Sequence, residues 1–207
     1  MKYKPESIIS DVAQLRELYG EPMERALVKE LDYLSDHYRR FVEAAPFLVL
    51  ASVGPEGLDA SPRGDAPGFV RVADAHTLML PDRRGNNRAD SLTNIVRDPR
   101  VSLLFLIPGV GETLRVIGRA EVVADAALCA TFAVQGKAPR CVLVIHIEHV
   151  YFQCQKALAR SRLWQADSQV KPSTLPSAGQ MLAELDESFD GERYDRDYPQ
   201  HMQQTIY

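Results

Sequence analysis

What limits the possible folds of this chain is a run of short apolar strand candidates joined by turns, with few helices between them. From Pro46 to Gln153 they read FLVLASV, LDASPR, GFVRVA, TLMLP, VSLLFLI, TLRVIGRAEVV and CVLVIHIEHVYFQ. A doubly wound sheet needs a helix after nearly every strand. Helical patterns here are confined to one segment opening near Asn87 and one around DAALCATFAVQGK. That ratio, with short connections, predicts a mainly β, α+β chain built as an antiparallel barrel with peripheral helices. GPEG is a turn that folds the first two candidates into a hairpin. In RVIGRAEVV, Val116, Gly118, Ala120 and Val122 alternate with Arg115, Arg119 and Glu121, as a strand with one packed face requires.

The flanks read differently. Ile8, Val12, Leu15 and Leu18 recur at helical spacing, and Tyr38, Phe41 and Val42 continue the pattern after a cap at Ser35 or Asp36. Residues 1–45 are therefore expected to form an N-terminal helical arm, 46–164 the barrel, and 165–207 a C-terminal connector and tail within one domain overall. The last part combines KPSTLPSAG, a short helix candidate QMLAELDE and a polar end. A chain of 207 residues can bury a full core without metals or disulfides. Its net charge of -4 offers no overall attraction to nucleic acid or an anionic membrane, so any anion site has to be local. With neither a signal-peptide pattern nor an apolar span, the expected location is the cytoplasm. Cys129, Cys141 and Cys154 lack C-x-x-C spacing and are expected to be reduced and mostly buried. His146 and His149 are expected on opposite strand faces, so no shared metal is expected.

One stretch concentrates chemistry. PDRRGNNRAD, Pro81 to Asp90, sets three arginines and two asparagines around one glycine. Pro81 is expected to stop a strand, Gly85 to take unusual backbone angles, and Asn87 to cap a helix with Asp90 three residues on. Arginine forks and a helix N-terminus both suit a phosphate. The plainer reading is a solvated turn whose arginines pair with Asp82 and Asp90. Neither a G-x-x-x-x-G-K-[ST] loop nor a dinucleotide fingerprint occurs.

With ASPRGDAPGFV upstream, DPRVSLLFLIPGVGETLRVIGRAEVV downstream and VYFQCQKALARSRLW after the last strand, the region from Pro46 to Trp164 resembles the pyridoxamine 5'-phosphate oxidase-like flavoproteins. The resemblance implies a split β-barrel that binds FMN between the two subunits of a homodimer. It makes Arg63, Arg83, Asn87 and Arg88 phosphate-side ligands, with Arg84 and Asn86 beside them in the same turn. Thr113 and Arg115 then begin a strand near the flavin ring, often reached from the other subunit, and Lys156, Arg160, Ser161 and Trp164 close over the cofactor.

The vitamin B6 enzymes of that family carry a serine-arginine-lysine set in the phosphate turn, where this chain reads NNR. The tail, although it contains Arg196 and His201, does not supply their substrate pair. The chain thus resembles a divergent branch. Its expected function is an FMN-dependent oxidoreductase acting with a reduced nicotinamide or oxygen on a small molecule. The alternatives are a non-catalytic flavin- or haem-binding module and a deazaflavin-dependent reductase.

Overall fold

In the computed structural model, which describes residues 4–207, the strand candidates form one antiparallel sheet. The first three residues of the expected arm lie outside the described residues. The strands are β1 (Phe47–Gly54), β2 (Gly57–Gly64), β3 (Arg71–Asp74), β4 (Thr77–Pro81), β5 (Arg100–Leu106), β6 (Thr113–Val123) and β7 (Val142–Gln153), in the order β2-β1-β5-β6-β7-β4-β3. The sheet curls into a barrel that is not closed by hydrogen bonds, because the edge strands β2 and β3 do not pair. This is the expected split barrel.

Alternation places the core. Leu48 and Leu50 on β1, Leu103 and Phe105 on β5, Leu114 and Val116 on β6, and Leu143 and Ile145 on β7 are all buried in one cluster. Val116, Gly118 and Ala120 face inward as expected, and Val122 packs against the cluster. Gly118 is required rather than convenient: a Cβ there would sit 2.0 Å from the His146 carbonyl oxygen, where the β6–β7 register shifts. The same shift corrects the expectation for the histidines. His149 pairs with Ile117 and His146 with Arg119, leaving Glu148 as the extra residue, and both histidines emerge on the exposed side. Each meets a carboxylate, His149 with Glu30 at 2.8 Å and His146 with Glu121 at 3.9 Å.

The helices are α1 (Val12–Tyr19), α2 (Glu24–Leu27), α3 (Asp36–Ala44), α4 (Asp90–Arg97), α5 (Ala126–Thr131), α6 (Lys156–Ser161), α7 (Ala178–Leu185) and α8 (Gly191–Thr205). Ser35 caps α3, which sends Val42 into the barrel, and α4 contributes Ile95 to the same core. Between α2 and α3, Leu31 exchanges main-chain hydrogen bonds with Val150 beyond the reach of β4, covering that edge of β7. Two expectations change. The second helical pattern ends at Thr131, after which Gln135 and Gly136 turn in the left-handed region. The polar tail is mostly the 15-residue helix α8, capped by Asp190 and packed on α7. Among the described residues no helix is long and apolar enough to cross a membrane.

Candidate functional site

The seam that the sheet leaves open is bridged by side chains. On β2, Arg63 shares a cross-strand row with the buried Leu48, Phe105 and Leu114, so it faces the barrel interior at its rim. Its guanidinium donates to Ser61 Oγ at 2.7 Å and to the Pro62 carbonyl at 2.9 Å. Just past the strand, the Asp65 N–H donates to the Pro46 carbonyl, fixing the direction of the chain. The Asp65 carboxylate then accepts from the Ala66 N–H, from Arg83 Nε and from the Tyr207 hydroxyl, each at 2.7 Å. Arg83 also donates from Nη1 to the Phe132 carbonyl at 2.7 Å, and its guanidinium carbon lies 5.7 Å from the centre of the Tyr207 ring.

Strand pairing brings a third segment in. The Asp82 N–H donates to the Cys141 carbonyl at 3.0 Å, extending the β4–β7 ladder by one step and laying residues 137–141 beside the arginine turn. Arg140 donates to Asn87 Oδ1 at 3.2 Å, and Lys137 Nζ donates to the main-chain oxygen of Tyr207 at 2.9 Å.

Charge is balanced unevenly here. Burial opposes ionisation of Asp65, but hydrogen bonds from Tyr207, Ala66 and Arg83 outweigh it and hold the carboxyl below its ordinary range. Asp82 moves the other way: burial raises it, and Arg63 and Arg140 only partly oppose that. The bond to Asp65 raises the Tyr207 phenol. Burial, with Asp82 and Cys129 nearby, pushes the Cys141 thiol up to about 11, so it stays protonated at neutral pH. With both carboxylates ionised, Arg63, Arg83, Lys137 and Arg140 leave the side chains of the cluster two charges positive.

The rest of the arginine turn departs from expectation. Asn87 does not cap α4; the cap is Ala89, which makes no side-chain cap. The left-handed residues are Asn87 (φ 64°) and Ala89 (φ 55°), not Gly85. Arg88 pairs with Asp90 at 2.9 Å, both well exposed, in line with the plainer reading of the turn, and its N–H donates to Asn86 Oδ1. Arg84 and Asn86 are exposed. The first turn of α4 already carries Asp90, and Ser91 Oγ donates to Asp59 at 2.8 Å. The cationic focus of the site is therefore the seam, not the helix mouth.

The remaining expected residues form a second group. Thr113 is buried at the start of β6, and Arg115 donates to the Tyr151 hydroxyl at 3.0 Å. Lys156 and Arg160 are exposed on α6, and Ser161 Oγ bonds back to the Leu158 carbonyl. The Trp164 indole donates to the Val110 carbonyl at 2.8 Å, tying the segment after α6 to the β5–β6 loop. Arg115 lies in the row of Leu104, Val49 and Pro62, on the outer face of the sheet, opposite to the face that Arg63 uses. Asp65, Asp82, Lys137, Arg140 and Tyr207 are additions to the expected set. The β4–β7 pairing that gathers several of them joins segments far apart in sequence, and no local pattern displays it.

A family model described as pyridoxamine 5'-phosphate oxidase matches residues 34–154. No curated protein matches the chain. Among solved structures, HupZ of Group A Streptococcus is 17% identical, with 56% of this chain and 90% of that one covered and a TM-score of 0.45. General Stress Protein 26 from Bacillus anthracis is 18% identical, covering 55% and 88%, with a TM-score of 0.42. A FAD-binding protein from Mesorhizobium loti is 19% identical, covering 58% and 94%, with a TM-score of 0.40. The family match takes in more than half of the chain, including every strand of the barrel. The chain belongs to the pyridoxamine 5'-phosphate oxidase family.

Proposed function

We propose that this chain is an FMN-binding oxidoreductase of the divergent branch of its family, acting on a small molecule. The observation that carries the reading is the seam cluster, whose side-chain excess of two positive charges matches a phosphate monoester dianion. Its guanidinium groups suit phosphate oxygens better than ammonium groups alone would. Arg63, Arg83, Lys137 and Arg140, with the Asn87 amide, are the residues that would hold the phosphate. Arg84 and Arg88 stand at the exposed rim.

FMN, when bound, supplies the redox chemistry; the chain supplies binding, orientation and local charge. Arg115 and Lys156 are cations suited to the pyrimidine side of the ring. Because Arg63 and Arg115 lie on opposite faces of one sheet, the second group fits a ring held by another copy of the chain. This supports a homodimer with the cofactor between subunits. The outer face of β1 and β5, with Phe47, Val49, Ala51, Leu104 and Leu106, is apolar and only partly covered, as such an interface requires.

The direct test is purification followed by the absorption spectrum and mass of the released ligand. The reading predicts a yellow protein that releases FMN and is bleached by a reduced nicotinamide. A ligand without a phosphoryl group contradicts it. A bound flavin that stays oxidised under reductants favours the non-catalytic binding module, and a deazaflavin mass favours the reductase that uses that cofactor.

A further inference from the structure

We propose that Tyr207, acting with Asp65, is a positioning residue for Arg83 and makes the C-terminal helical pair part of the anion site. The inference rests on the reading of the seam as the phosphate end of an FMN pocket.

Arg83 is tied down on two of its three nitrogens, Nε to Asp65 and Nη1 to the Phe132 carbonyl. Among the described residues, Nη2 donates to no protein acceptor. Tyr207 acts on both members of the ion pair. Its hydroxyl donates to Oδ1 of the carboxylate whose Oδ2 receives Arg83, so the carboxylate is gripped at both oxygens. Its ring lies beside the guanidinium, and Lys137 holds its main-chain oxygen. The Asp65 side chain is only 4% exposed, so little water competes for these bonds. An arginine restrained in this way presents its remaining N–H pair in one direction and loses less freedom when an anion arrives.

The phenol is delivered by a closely packed support. A Cβ on Gly179 of α7 would lie 2.2 Å from the Gly191 carbonyl oxygen, so the two helices meet backbone to backbone. Asp195 of α8 accepts the Gly179 N–H at 2.8 Å and the Ser177 hydroxyl. The pair packs chiefly on itself, and Tyr207 joins it to the barrel through Asp65, Arg83 and Lys137.

The test is a double-mutant cycle read as FMN affinity in the wild type, Tyr207→Phe, Arg83→Ala and the combined variant. Tyr207→Phe keeps the ring and removes one hydrogen bond. The expected result is about fivefold weaker FMN binding in Tyr207→Phe, and no further loss when it is added to Arg83→Ala. Tyr207→Leu, which removes the ring as well, should deepen the loss and again add nothing to Arg83→Ala. Thermal melting of each variant confirms that it is folded. Unchanged or tighter binding in Tyr207→Phe overturns the positioning role and leaves the phosphate site standing. An equal loss in the Arg83→Ala background also overturns it, since the effect would then not pass through Arg83. A wild-type chain that binds neither FMN nor inorganic phosphate overturns both readings.

Discussion

Asp65 and Arg83, each just past the end of its strand, meet at 2.7 Å and join the ends of β2 and β4, which the sheet does not pair with each other. Breaking a largely buried pair leaves an uncompensated charge, so Asp65→Ala should lower the free energy of unfolding by about 3 kcal/mol in urea. The pH dependence follows from the lowered carboxyl. Its contribution is full above the unfolded value, near 3.9, and is lost as pH falls through the lower folded value. Asp65→Asn should lack that part of the acid-side loss. Asp82 carries the opposite sign, because its folded value is raised: its stabilising contribution is present at low pH and lost as pH rises through that value. In the ligand-free protein, Asp82→Asn should therefore melt higher than the wild type at neutral pH, with the difference closing in acid. A lower melting point at neutral pH would contradict this.

Ala89 holds a left-handed conformation without a glycine's freedom. Ala89→Gly relieves that clash while adding chain entropy to the unfolded state, and the first effect is the larger. The variant should gain about 0.5 to 1 kcal/mol in denaturant unfolding. No gain would mean that the turn is relaxed by some other contact.

At Gly118 the obstacle is main chain, which cannot swing aside. Gly118→Ala should cost more than about 2 kcal/mol or prevent folding, because the β6–β7 ladder must shift to admit the methyl group. Near wild-type stability would show that the register shift is not as tightly packed as described.

The thiols should separate cleanly in a labelling experiment. Cys154 is exposed, whereas Cys129 and Cys141 are buried and Cys141 is held as a thiol by its surroundings. One equivalent of a disulfide reagent should react quickly at neutral pH, and the other two only on unfolding. Two fast equivalents in the native protein would contradict the placement of α5 and β7.

How much of this the sequence displays depends on the range of the interactions. The alternation in β6 is legible because a two-residue period is local, and so is the cap at Ser35. The bulge at Glu148 is not, since it arises from the close approach of Gly118 to the His146 backbone, and it turns both histidines outward. The tail hides a helix because α8 is mostly polar and contains Pro199, and its stripe of Tyr194, Tyr198 and Met202 is narrow. The arginine turn stands out in the sequence, yet Arg88 spends itself on Asp90 while Arg83 finds Asp65. Lys137, Arg140 and Tyr207 join that turn only through tertiary structure, which local residue patterns do not express.

The seam cluster is proposed to bind the phosphate of FMN. Titrating the ligand-stripped protein with FMN and with riboflavin, which differ only in that group, measures it directly. Charge-assisted hydrogen bonds from several cations predict FMN binding at least about 100-fold tighter than riboflavin, with most of that preference lost in Arg63→Ala and Arg83→Ala. Equal affinities for the two ligands would contradict the account.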